Sequence, residues 1–154
     1  MSRACPISKE TVDERTARLC ALLVLVPLGF SLAFASSWPT LLLALDFGLR
    51  GFGAGRWSPV ARLARSLAAL VGLRPKPTNA GPKAFAAKLG CIFSVSVATA
   101  FLLGETGVGL ATGATLALCA LLEGTVGFCV GCRVYQAWRR LGGGARLTSI
   151  RPAN

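Results

Sequence analysis

The 154-residue chain contains no histidine. That removes imidazole general bases, histidine metal ligands and haem ligation through histidine. Acidic residues are scarce as well, with 6 Asp and Glu against 17 Lys and Arg and a net charge of +11. Charged residues of both signs make up only 15% of the chain, where a soluble protein has roughly a quarter. Hydrophobic residues make up 53%, so a water-soluble domain of this composition would expose apolar surface on a large scale. The composition points to an integral membrane protein with the lipid bilayer as its partner. A surplus of basic residues in a soluble chain would suggest nucleic acid. Here they sit between and beside apolar runs with few aromatics among them, so no nucleic-acid partner is expected and the charge is a topology signal.

Residues 1–10 are polar and contain Cys5-Pro6. Thr11-x-x-Glu14 has capping-box spacing, which predicts a helix from about Val12. Four apolar runs follow, and the spans expected are about 17–36, 38–52, 85–104 and 108–132. Pro27 falls inside the first, where neighbouring helices can satisfy the freed carbonyl. Ala33-Phe34-Ala35 resembles a signal-peptide cleavage site, but Glu10, Asp13 and Glu14 crowd the supposed basic region, so an uncleaved span is expected. The second run is short: Trp38 to Phe52 rises only about 22 Å as a helix, against roughly 30 Å of hydrocarbon. It carries Asp46 and Arg50 at i and i+4, which share a face. The plain reading is an internal ion pair; the sharper one is an ion or proton site. Ser58-Pro59 starts an amphipathic helix over 59–73, expected to lie in the interface with Arg62 and Arg65 at lipid headgroups. Gly109-x-x-x-Gly113 and Gly127-x-x-x-Gly131 place small residues on one helix face, for packing within the bundle or for a homo-oligomer seam. The domain expected is 1–138, with a basic Gly-rich tail over 139–154.

Sidedness follows from where the 17 basic residues lie. All of them fall before the first span, from Arg50 through Lys88, or from Arg133 onward, and the two opposite turns have none. By the positive-inside rule both termini and the middle segment are cytoplasmic in a multi-pass protein of the plasma membrane.

The chemistry-bearing residues are cysteines. Cys20, Cys91 and Cys119 lie inside apolar runs and read as packing residues. Cys129 and Cys132 form the one Cys-x-x-Cys, a redox-dithiol spacing that is also half of a metal site, with Cys5 as a third thiol. No metal or cofactor is assigned. The pair lies near the C-terminus of the last helix, where the dipole opposes thiolate while Arg133 and the surrounding basic residues favour it. Continuous helix also places Glu123 on the opposite side from Cys132, which argues against Glu123 as its base. Depth counting pairs Glu123 with Lys88, with Lys83 or Arg50 as the other candidates.

Gly127-Phe128-Cys129-x-Gly131-Cys132-x-x-Tyr135, closing the last run, resembles a bacterial four-span membrane family catalogued as domain of unknown function 4395. Cys5-Pro6, Ser58-Pro59 and Pro82-Lys83-x-Phe85-Ala86 followed by Gly90 add to the resemblance, which covers roughly residues 5–138. The resemblance implies thiol or sulfane-sulfur chemistry, with a thioredoxin-like protein or a sulfurtransferase as partner. The fold expected is an all-α membrane four-helix bundle with one interfacial helix. Three functions remain open. The first is a thiol/disulfide or sulfur-relay module using Cys129, Cys132 and Cys5. The second is a small oligomeric transporter or soft-metal-binding protein using Asp46, Arg50, Lys88 and Glu123. The third is a structural membrane protein without catalysis.

Overall fold

The structure, a computed structural model, describes residues 11–72, 74 and 76–142. It is an all-α bundle of six helices: α1 (Glu14–Phe34), α2 (Ser37–Gly51), α3 (Pro59–Leu70), α4 (Ala80–Leu102), α5 (Thr106–Thr125) and α6 (Val130–Gly142). The helices α1, α4 and α5 are long and apolar enough to cross a membrane, whereas α2 has 15 residues. Large apolar side chains cover the outside of the bundle, among them Val26, Phe30, Leu42, Leu45, Ile92 and Leu118. Water would not tolerate such a surface, and the arrangement is that of a membrane protein.

Local chemistry sets the ends of these helices. The start of α1 differs from the capping-box expectation. Thr11–Asp13 is a short strand, β1, paired antiparallel with β2 (Pro77–Asn79). Asp13 is then the N-cap, its carboxylate accepting the backbone N–H groups of Arg15 at 3.2 Å and Thr16 at 3.3 Å. An aspartate does this better than Thr11, because its charge also meets the helix dipole. The ribbon ties the segment before α4 to the start of α1, with Lys76 bridging to Glu14 at 2.8 Å. Pro27 sits within an unbroken α1, and Ala35 closes that helix in the left-handed conformation with φ 48°.

The core cluster is Val24, Leu28, Leu43 and Leu116, with Phe47, Phe93 and Leu32 packed on it. The small residues act inside the chain: Gly109 faces the Phe101 ring and Gly113 faces Leu32. The α3 helix buries Ala64 and Ala68 against α1 and leaves Leu63, Leu70, Arg62 and Arg65 exposed. Its start is capped twice. Ser58 accepts the N–H of Ala61 at 3.0 Å, and Asp46, from α2, accepts the Ser58 hydroxyl at 2.5 Å and the N–H of Val60 at 3.1 Å. The other Asp46 oxygen lies 2.8 Å from Arg50 Nη2, and the Arg50 guanidinium rests over the Phe47 ring at 4.5 Å. Asp46 is only 2% exposed, so its charge is tolerated through these partners.

Candidate thiol site

The fourth apolar run is two helices, not one. α5 ends at Thr125, and the next residues turn the chain through a left-handed C-terminal cap at Gly127. The N–H of Phe128 donates to the Leu122 carbonyl at 3.2 Å and that of Gly127 to Glu123 at 3.1 Å, while Gly127 is left-handed at φ 74°. A new helix starts at Val130, with Cys129 in the capping position. Its Sγ accepts the backbone N–H of Cys132 at 3.3 Å, and its carbonyl accepts that of Arg133 at 3.1 Å. The Cys-x-x-Cys pair therefore opens a helix. This reverses the expectation from a continuous helix, because the dipole of α6 now supports a thiolate at Cys129. It also removes Gly127 and Gly131 as a shared helix face. Gly127 was the signal available in the sequence; a cysteine N-cap has no strong signature, so the restart at Val130 was not legible.

Two contacts hold the first turns of α6 on α4, and an ion pair beside them ties α4 to α5. Gly131 lies against Ala86 so closely that a Cβ would come within 2.8 Å of the alanine methyl. The rings of Phe85 and Tyr135 meet with centroids 5.3 Å apart. Below them Lys83 Nζ bonds Glu123 Oε1 at 2.7 Å, each side chain about one-fifth exposed. Glu123 thus pairs with Lys83 and not with Lys88. The physical reason is depth and face. α4 stops at Leu102 and α5 starts at Thr106, so the α4 residue level with Glu123 is near Phe85. Lys88 turns away and packs on Gly51 of α2, its ammonium 5.3 Å from the centre of the Phe52 ring. Arg18 of α1, paired with Glu14 at 2.8 Å, lies across the Gly127 backbone, where a Cβ would overlap its guanidinium.

The two thiols are electrostatically unequal. The Cys132 thiol bonds the Cys129 sulfur and holds the Cys129 pKa below the ordinary thiol value; burial and Glu123 oppose this, while the Cys132 N–H and Lys83 assist it. Cys132 is pushed up by that same bond, by burial and by the charge on Cys129. Both are half-buried. Glu123 acts on both sulfurs, so the chain break brings it into the thiol site from which continuous helix would have excluded it. Cys129, Lys83, Glu123, Cys119 and Cys20 line one half-open cavity. Cys91 instead donates to the Ala44 carbonyl at 3.2 Å as a packing residue.

The other residues singled out in the sequence lie elsewhere. Asp46 caps α3 and pairs with Arg50, which reaches the same cavity. Arg62 and Arg65, with Arg56 and Trp57, line a shallow basic depression. Cys5 lies outside the described residues, and among those described no three Cys, Asp or Glu side chains cluster as a metal would require. No curated protein and no solved structure matches the chain. Residues 12–140, most of the chain, match the family described as Domain of unknown function (DUF4395), and the chain belongs to that family.

Proposed function

We propose that the chain is an integral membrane thiol–disulfide module with Cys129 as attacking thiolate and Cys132 as resolving thiol. The observation that carries this is the position of Cys129. It caps a helix start, takes the Cys132 N–H on its sulfur at 3.3 Å, and shares a cavity wall with the Lys83–Glu123 pair. A partly exposed, low-pKa thiolate followed one turn later by a protonated thiol is the asymmetry that exchange needs.

Cys129 attacks one sulfur of a partner disulfide, forming a mixed disulfide and releasing the other sulfur as a thiolate. Cys132 then gives its proton to Glu123 or to the released thiolate and attacks Cys129 Sγ. A Cys129–Cys132 disulfide forms, and the second partner sulfur leaves. Two electrons pass from the chain to the partner; the reverse sequence oxidises a partner dithiol. The placement of all 17 basic residues supports a bundle in which α1, α2, α4 and α5 are the spans and the thiols face the cytoplasm of a bacterial cell. A thioredoxin-like protein is the partner class.

Trapping tests this. With Cys5, Cys20, Cys91 and Cys119 replaced by serine, Cys132→Ser should accumulate a mixed disulfide with oxidised thioredoxin, and Cys129→Ser should not. Equal trapping by the two variants, or none by either, would overturn the assignment.

A further inference from the structure

A half-open cavity of about 1060 Å³ lies among α1, α4 and α5 beside the segment between α2 and α3. Ligand sites in proteins run from about 300 to 1,000 Å³, so this one is large. The void has a cause in the sequence. The residues facing it include Ala21, Ala87 and Ala120, which are too short to fill the space between their helices. Phe47, Phe93, Val24 and Leu116 give it an apolar wall. Cys129 is on the wall, whereas Cys132 is not among the residues that line it. A molecule in the cavity therefore meets the attacking sulfur first.

The charge at that sulfur narrows the ligand class. Lys83 and Glu123 stand on the same wall, paired at 2.7 Å, and leave no net charge beside Cys129. An anionic headgroup at this end would be repelled by the thiolate, and the unpaired cations of the wall belong to its α2–α3 side. A neutral carbonyl head fits. The Lys83 ammonium has three N–H groups, one committed to Glu123, so a second can donate to a carbonyl oxygen. The apolar remainder suits a hydrocarbon tail.

We infer that this cavity binds a membrane-dissolved quinone, which oxidises the Cys129–Cys132 pair to a disulfide. The inference rests on the thiol reading above. The Cys129 thiolate adds to the quinone ring, forming a C–S bond, and one quinone oxygen takes a proton. Cys132 loses its proton to the second oxygen and attacks Cys129 Sγ. The S–S bond forms, the C–S bond breaks, and its electron pair stays on the ring. One quinone and two thiols become one quinol and one disulfide, which the reverse exchange passes to a partner dithiol.

The test uses the full chain, reduced and in detergent, with a short-chain ubiquinone whose ring is fully substituted. Quinol is read by absorbance and the disulfide by mass after alkylation. Expected is one quinol per Cys129–Cys132 disulfide, lost in Cys129→Ser. Ala120→Trp and, separately, Leu116→Trp fill the cavity and should slow the quinone reaction about tenfold or more, the loss of about 1.4 kcal/mol of binding. Each variant must still close the disulfide with diamide, which needs no cavity and reports a folded site. If diamide closes the disulfide in the parent but the quinone does not, the quinone site is overturned while the thiol reading stands. If diamide fails in the parent, the thiol reading itself falls. Arg50, Arg56 and Arg65 line the cavity on its α2–α3 side. Displacement of the quinone by anionic phospholipid vesicles but not by neutral ones would mark the cavity as a lipid site and overturn the inference.

Discussion

Replacing Gly127 by alanine tests the central feature of the site, the break that turns one apolar run into two helices. Gly127 is left-handed at φ 74°, and alanine in that conformation costs about 1–2 kcal/mol. In a helix interior alanine gains about 1 kcal/mol over glycine. Both effects favour straightening the junction between α5 and α6, by about 2–3 kcal/mol together, or roughly 30- to 150-fold in population. The Arg18 guanidinium adds to this, because it occupies the space of the new methyl. Straightening removes Cys129 from the capping position, along with the Cys132 N–H now 3.3 Å from its sulfur. The assay is iodoacetamide alkylation of Cys129 against pH, with Cys5, Cys20, Cys91 and Cys119 replaced. The folded site lowers the Cys129 pKa, so thiolate persists to lower pH than in a free thiol; Gly127→Ala should need higher pH for the same rate. Gly127→Asn, which tolerates the left-handed region but brings the same Cβ against Arg18, should shift the profile less than Gly127→Ala. A Gly127→Ala profile identical to the parent would refute the reasoning.

Lys83→Met should slow Cys129 alkylation at neutral pH, because it removes a cation that favours the thiolate and frees Glu123 from its 2.7 Å pair; Lys83→Arg should restore most of the rate. Asp46→Ala leaves the half-buried Arg50 without its 2.8 Å partner and strips the Val60 N–H of its acceptor, so unfolding in detergent should show a loss of about 3 kcal/mol. Asp46→Asn keeps an acceptor and should lose less; equal losses would place the effect outside the cap. Gly131→Leu forces atoms into a gap of 2.8 Å to Ala86, and overpacking of this kind costs about 1–3 kcal/mol, read as a lower melting temperature and faster proteolysis within α6.

The helical bundle was legible because membrane helices declare themselves through long apolar runs, and every basic residue falls outside the two opposite turns. The Asp46–Arg50 pair was legible for the same kind of reason, since i and i+4 residues share a face whatever the fold around them. Tertiary partners were not. Nothing local to Asp46 says that its carboxylate caps α3, and nothing in Thr11–Asp13 says that β2 lies beside it. The pairing of Glu123 with Lys83 turned on where α4 stops, a matter of a few residues that hydropathy does not resolve. The break at Gly127 was hidden by composition. Val126, Phe128 and Val130 are as apolar as the helix before them, so a run read by hydropathy passes straight through a junction made by one left-handed glycine.

The two stretches that carry the family resemblance act as one unit. Ala86 and Gly131 are both small, which lets α6 approach α4 closely. Phe85 and Tyr135 meet at a tilt with centroids 5.3 Å apart and resist rotation of α6 about its own axis. Lys83 and Glu123 tie α4 to α5 at the depth where α5 ends. Distance, rotation and depth are thus set by three separate pairs around the first turn of α6. A thiol pair that served only as interfacial packing would need none of them, because two half-buried sulfurs tolerate loose placement. Exchange chemistry does need them, since reacting groups must be held within about 0.5 Å and 10–20° of a working geometry. Phe128 extends the same logic, its ring 5.3 Å below the Arg133 guanidinium and so drawing that charge back toward the start of α6. The pattern Gly-Phe-Cys-x-Gly-Cys-x-x-Tyr reads physically as a turn, a cation platform, a capping thiol, a close contact, a second thiol and an anchor. On the proposed exchange reading, all but the thiols themselves serve to place the sulfurs.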